Sequence, residues 1–257
     1  MEIQDRVVVV TGAARGIGAA MCERFATAGA KAVIASDRDS AVFASADQYG
    51  GVPVICDVAN ECSVIDLVEN VLSRWGRIDV FCSNAGITAK GGLECPNSEW
   101  QQLWDVNVMS RLYAARAVIP AMIEAGSGYL IHTASAAGLL TEIGSASYSV
   151  TKHADVAFAE WLSVTYGRQG IKVSCVCPLG VETDMLDESD PIHRYLQLHS
   201  ISAMQAAESI VEGIDREQFL ILPHPEVAEF FRMKAENHDR WLKGMQRLKQ
   251  KLTRRSA

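Results

Sequence analysis

The chain has 257 residues, 49% of them hydrophobic and 21% charged, which allows a sizeable core and excludes a disordered or fibrous composition. A net charge of −7 excludes a general nucleic-acid binder, because attraction to phosphates needs a clustered positive field. The basic residues that do cluster, Lys243, Arg247, Lys249, Lys251, Arg254 and Arg255, lie at the C-terminal end, where cations complement a helix dipole.

Seven cysteines are scattered without the paired spacing of a metal site, no basic-then-apolar leader precedes the first strand-like run, and no stretch of about 18 apolar residues occurs. The expectation is a protein of the reducing cytoplasm with no metal, no membrane insertion and no nucleic-acid partner.

In chain order, residues 7–10 are a continuous β-branched run, the first strand candidate. It ends in Thr11-Gly12-Ala13-Ala14-Arg15-Gly16-Ile17-Gly18, and Ile17, Met21, Phe25 and Ala28 then recur at helical spacing before Gly29. Glycines between a strand and a helix let the backbone turn tightly and approach a pyrophosphate, which the free N–H groups of the helix attract. Gly12, Arg15, Gly16, Ile17 and Gly18 are therefore candidate dinucleotide contacts, although the spacing TGxxxGxG differs from the general GxGxxG pattern.

A second strand at 32–35 leads to Asp37, whose carboxylate can accept both adenosine-ribose hydroxyls and repel a 2′-phosphate, favouring NAD with NADP as the alternative. Arg15 and Arg38 are the residues that could instead receive a phosphate. The third run, 52–55, is followed by Asp57-Val58, and the fourth, 78–82, by Asn84-Ala85-Gly86. Both fall at the carboxyl ends of their strands, where open α/β sheets bind ligands.

A fifth run at 129–132 precedes Ser135, and Tyr148-Ser149-Val150-Thr151-Lys152 reads as helix, so Tyr148 and Lys152 share one face. A sixth run at 171–176 leads into Pro178-Leu179-Gly180-Val181-Glu182-Thr183. The following residues, 183–205, begin with acids and turn apolar, as a mobile substrate cover would. After a seventh run at 219–222, residues 226–251 read as a long helical extension, free to cover a neighbour or the active-site mouth. The strand runs are continuous rather than alternating, and helical spacers separate them, as in a doubly wound parallel α/β sheet.

The order TGxxxGIG, NAG, a central Asn107, Ser135 and YxxxK resembles the short-chain dehydrogenase/reductase family over residues 5–183, with Ser135 13 residues before Tyr148 as in that family. The resemblance implies a Rossmann-type sheet of about seven strands in a single domain over residues 1–257, and reversible oxidation of a secondary alcohol to a ketone. It implies Tyr148 as general acid/base, Lys152 beside it and on the nicotinamide ribose, Ser135 on the substrate oxygen, and Asn107 in a proton relay. Pro178, Gly180, Val181 and Thr183 correspond to a loop whose backbone contacts the nicotinamide, although its glycine is displaced by one here. A homodimer or homotetramer is implied as well.

Chemistry asks for the same residue types. Moving a tyrosine from about 10 to about 7 requires roughly 4 kcal/mol, of which a lysine charge about 6 Å away supplies roughly 3. A serine hydroxyl can donate to the oxygen where charge develops. Leu140 and Met185, with Ser135 and Tyr148, are the candidate substrate contacts; Leu139, Ile143, Leu186, Tyr195 and Leu196 are further apolar wall candidates. A dinucleotide-sensing or scaffold protein without turnover is the alternative from another class.

Overall fold

The computed structural model of the chain describes residues 1–185, 194, 197 and 200–254. Seven strands form one parallel sheet in the order β3-β2-β1-β4-β5-β6-β9, comprising β1 (Val7–Thr11), β2 (Ala32–Asp37), β3 (Val52–Ile55), β4 (Val80–Ser83), β5 (Gly128–Thr133), β6 (Ile171–Val176) and β9 (Leu220–Ile221). All seven runs expected from the sequence are present. A separate two-stranded pairing joins β7 (Val181–Glu182) to β8 (Ile201–Ser202).

The strands are apolar on both faces because helices cover both. In β1, Val7 and Val9 face one core cluster while Val8 and Val10 face the other, the period-two alternation of a pleated strand. The first cluster is filled by Leu67 and Val71 of α3 (Glu61–Trp75), Val118 and Met122 of α5 (Ser110–Glu124), and Ala159 and Leu162 of α7 (Ala146–Tyr166). The second is filled by Met21 and Phe25 of α1 (Gly16–Thr27), Val42 of α2 (Ala41–Asp47), and Ile210 and Ile214 of α8 (Ala203–Asp215). Each such large side chain stabilises the fold by about 1.5–3 kcal/mol when fully buried.

β1 and β4 are neighbours although β2 and β3 intervene in sequence, so the chain reverses its direction of travel across the sheet there. That switch point opens a crevice at the carboxyl ends of the two strands. Thr11 pins its floor: its hydroxyl donates to the Cys82 carbonyl (3.2 Å) and accepts from the N–H groups of Asn84 (3.1 Å) and Ala85 (3.2 Å).

The C-terminal extension differs from one long helix. It breaks at Asn237 into α9 (Glu226–Glu236) and α10 (His238–Arg254). Asn237 leaves the helical region at φ −153°, ψ 90°, and its side-chain oxygen accepts from the Arg240 N–H (2.9 Å), capping the second helix.

Candidate active site

At the switch point a cleft of about 470 Å3 is lined by Gly12, Arg15, Gly16, Ile17 and Gly18 on one side and by Asn84, Ala85 and Gly86 on the other. Its far end reaches Ser135, Tyr148, Lys152, Pro178, Val181, Thr183 and Met185. The glycines are there for space. A Cβ on Gly18 would lie 2.1 Å from the Gly12 carbonyl oxygen, and one on Gly12 would lie 2.7 Å from the Ala85 Cα. No side chain caps the first turn of α1, so its amides face the cleft with the favourable end of the helix dipole. A glycine cradle leading into a helix whose first turn has no side-chain cap suits a pyrophosphate, so the residues present fit a dinucleotide.

Other expected cofactor residues stand outside this lining. Asp37 closes the β2 side by accepting the Ala14 N–H (3.0 Å) on one oxygen and the Asp39 N–H (3.0 Å) on the other. Asp57 accepts the Ala59 N–H (3.0 Å) in the turn that carries Val58, and the Gly180 carbonyl takes the Ile201 N–H (3.1 Å) between β7 and β8. Arg15 lies between two carboxylates, 3.6 Å from Asp39 and 3.6 Å from Asp184.

The chemical end of the cleft is carried by α7. Ser145 caps that helix by accepting the Tyr148 N–H (3.3 Å), which fixes the rotation of the first turn. Tyr148 and Lys152 then fall one turn apart on the face that turns inward, with the Lys152 Nζ 5.6 Å from the tyrosine ring centroid. Ser135 follows β5, and its hydroxyl oxygen accepts the Ala137 N–H (3.1 Å), leaving the hydroxyl proton to donate elsewhere. Of the other nearby hydroxyls, Ser145 is occupied as a cap and as a donor to the Ala89 carbonyl, and the Ser147 hydroxyl is buried without a partner.

Asn107 lies in a π-helical turn, Asp105–Met109, between α4 (Asn97–Trp104) and α5. Such turns re-aim side chains at functional sites. Its amide spans the Ile87 backbone, accepting its N–H (2.9 Å) and donating to its carbonyl (2.9 Å), and also donates to the Thr151 hydroxyl (3.1 Å).

A match to the family description "short chain dehydrogenase" covers residues 6–192 of the chain. The chain belongs to the short-chain dehydrogenase family. Among its relatives, a 1-deoxy-11-beta-hydroxypentalenate dehydrogenase of Streptomyces avermitilis is 33% identical over 86% of this chain and 85% of its own. A CLA biosynthesis dehydrogenase/reductase of Lactiplantibacillus plantarum is 31% identical over 88% and 90%. A short-chain dehydrogenase/reductase of Burkholderia phymatum, crystallised in complex with NAD, superimposes with a TM-score of 0.83 at 27% identity over 93% of this chain and 96% of that one.

In this short-chain dehydrogenase the protonation chemistry departs from the expectation that Lys152 nearly suffices to ionise the tyrosine. Burial pushes the Tyr148 phenol above its ordinary value, and the Glu142 charge adds to the rise, against a lowering hydrogen bond from Ser135. Lys152 is pulled down to about 8, first by burial and then by the like charge of Arg111, against the attraction of Asp155. Desolvation, which sequence spacing does not reveal, is the reason.

Beside the cleft, and sharing Ser135, Glu142 and Leu179 with it, lies a larger cavity of about 860 Å3. Leu140 and Ile143 line it from beneath, and Phe230, Met233, Trp241, Met245 and Leu248 of α9 and α10 line it from above. The two helices are tied down where the Lys234 Nζ donates to the Leu139 carbonyl (2.6 Å), so within one chain the extension roofs this cavity. Thr141, on this wall, has φ 75°, a strained conformation for a β-branched residue. Leu139 is core rather than wall, and Leu186, Tyr195, Leu196 and most of the expected cover lie outside the described residues.

Sequence reasoning missed Arg111, His132 and Asp155, which lie buried directly behind Lys152. A signal was present: Asp155 follows Tyr148 by seven residues and Lys152 by three, a spacing that puts all three on one helical face.

Proposed function

We propose that this chain interconverts a secondary alcohol and a ketone with a nicotinamide dinucleotide, NAD in preference to NADP, residues 1–257 acting as one catalytic unit. The observation that carries this reading is the convergence of Ser135, Tyr148 and Lys152 where a glycine-cradled cleft meets an apolar cavity. The dinucleotide, when bound, supplies or accepts the hydride. Gly12, Gly16, Ile17 and Gly18 would hold its phosphates, Asn84, Ala85 and Gly86 its middle, and Pro178, Val181 and Thr183 its nicotinamide end. Asp37, Asp57, Val58 and Gly180 support it by fixing the turns around the cleft.

Ser135 donates its hydroxyl proton to the substrate oxygen, which orients the reacting carbon and stabilises charge developing on that oxygen. Tyr148 exchanges the proton with the same oxygen. Its phenol, raised by burial, holds its proton, which it can give to the oxygen of a ketone. Lys152 contributes charge next to the phenol and a donor for the ribose, and Asn107 keeps the Ile87 carbonyl and the Thr151 hydroxyl in place for proton exchange. Burial of Ser135, Tyr148 and Lys152 excludes bulk water from the exchange.

Leu140 and Met185 contact the substrate from the two sides of Ser135, and a cavity of about 860 Å3 with mainly apolar walls favours a bulky, predominantly apolar alcohol or ketone. That a hydroxypentalenate dehydrogenase is among the relatives supports a hydroxyl as the reacting group. A homodimer or homotetramer in the cytoplasm belongs to the same reading: Trp161 and Val164 of α7 are exposed, and the seven cysteines are free thiols. No described helix is long and apolar enough to cross a membrane.

Tyr148→Phe tests the reading. Turnover on a ketone panel should fall by at least about 100-fold while dinucleotide binding, read by protein fluorescence, persists. Near-normal turnover would overturn it.

A further inference from the structure

Lys152 apart, a heavily charged cluster in the described interior takes no part in the mechanism above. Asp155 is fully buried, and three cationic or potentially cationic groups from three elements converge on it. Arg111 of α5 donates through Nε to one carboxylate oxygen (3.2 Å), His132 of β5 bonds the other through Nδ1 (2.8 Å), and the Lys152 Nζ on its own helix lies 4.0 Å away. Arg111 also reaches the Ala85 carbonyl (2.6 Å), within the Asn84-Ala85-Gly86 turn that lines the cleft. The Thr133 carbonyl accepts from Lys152 (2.8 Å) and, at the limit of a hydrogen bond, from Arg111 (3.5 Å).

We propose that Asp155 is a positioning residue for the reaction: its buried carboxylate holds the Lys152 ammonium charged beneath Tyr148, and Arg111, by competing for the same oxygen, sets how strongly it does so. This rests on the reading of Tyr148 and Lys152 given above. The physical reason is the charge balance of a closed space. A lysine beside a buried guanidinium would lose its proton on both desolvation and repulsion, and one carboxylate shared between the two cations offsets both effects. The arrangement explains why Lys152 can be buried so completely and still carry charge near neutrality.

The other titratable groups that face this space do not replace Asp155. Cys175 of β6 and Cys177 just beyond its end present thiols, and the Cys175 thiol is raised well above its ordinary value, by its hydrogen bond with Cys177 and by burial, so it adds no charge at neutral pH. Glu142 lies on the opposite side, towards the tyrosine, and acts to raise the phenol rather than to hold the lysine. His132, bonded to Asp155, supplies a donor that keeps the carboxylate oriented.

The test is a set of charge-deleting variants read by the pH dependence of the Lys152 13Cε chemical shift, with kcat/KM for alcohol oxidation measured alongside to report turnover. Asp155→Asn should lower the lysine midpoint by about one pH unit or more, because the carboxylate that offsets burial and the Arg111 charge is gone. Arg111→Met should raise that midpoint. The double variant should lie between the single ones, and Asp155→Glu, which keeps the charge, should bring the midpoint back towards that of the wild type.

Opposite signs for the two single variants are the expected result, and either one, if folded by circular dichroism, decides by its own sign. A loss of turnover with unmoved midpoints, or shifts of the same sign, would make the network purely structural and overturn the proposal. The chemical shift reports on Lys152 even where Tyr148→Phe remains active, so failure of the tyrosine reading and failure of this one are separable.

Discussion

Replacing Gly18 by alanine should damage folding and cofactor binding together, and the size of the effect follows from the packing of the glycine turn. The new Cβ would stand 2.1 Å from the Gly12 carbonyl oxygen and 2.6 Å from the Asn84 Nδ2, well inside van der Waals contact, with backbone as the first obstacle. Relief requires that the turn open, which also loosens the Asn84 bonds to the carbonyls of Thr11 (3.0 Å) and Gly12 (3.3 Å). Overpacking costs about 1–3 kcal/mol and each weakened hydrogen bond about 1, against a gain in helix propensity of at most about 1. The net loss is about 2–4 kcal/mol, or roughly 5–15 °C in Tm for a chain of this size. Dinucleotide affinity should fall by at least about tenfold, since 1.4 kcal/mol of turn distortion is enough for that.

Thermal unfolding and titration of intrinsic fluorescence with dinucleotide read the two effects. Gly76→Ala is the control: it also sits at positive φ (73°), but nothing lies within 4 Å of its Cβ position, so it should cost about 1 kcal/mol and leave binding intact. An alanine at 18 with unchanged Tm and unchanged affinity would refute the argument that steric closeness at this turn is what the glycine provides.

Three further outcomes are expected. Lys152 titrates at about 8 in the fold against an ordinary 10.5, so between those values the unfolded chain binds a proton that the folded chain does not, and stability gains with rising pH. Lys152→Met lacks this gain, so its stability relative to wild type should fall by about 2 kcal/mol between pH of about 7 and about 9.5, measured by denaturant unfolding; a constant difference would reject the burial penalty. The ratio of kcat/KM for NAD over NADP should favour NAD and decrease in Asp37→Ala, because the Asp37 carboxylate at the end of β2 repels a 2′-phosphate and Arg15, paired with Asp39 and Asp184, offers little to one; a wild-type preference for NADP would refute this. Gly244→Phe, at an open position on the cavity wall, should reduce kcat/KM for bulky ketones at least about tenfold while sparing the smallest ones, and a uniform change across sizes would exclude the cavity as the substrate pocket.

Much of this protein could be read from its sequence because the physics concerned is local. Two-faced burial makes a strand continuously apolar, so seven runs announced seven strands. A turn that must pass within contact distance of another backbone has to be glycine, as at Gly12 and Gly18, and Gly16 has a positive φ (58°), so the three glycines marked the cleft. Helical spacing likewise brought Tyr148 and Lys152 together.

What the tertiary structure decided depends on groups far apart in the chain. The distance from Arg111 to Asp155 is 44 positions and from His132 to Asp155 it is 23, and only the packing of α5, β5 and α7 makes them one charged cluster. The direction of the Tyr148 shift came from desolvation, which depends on what covers the residue rather than on its neighbours in sequence. The roof over the substrate cavity was undecided for the same reason: an amphipathic helix declares that it has an apolar face, while its partner surface, here the wall carrying Leu140 and Ile143, is chosen only when the whole chain has folded.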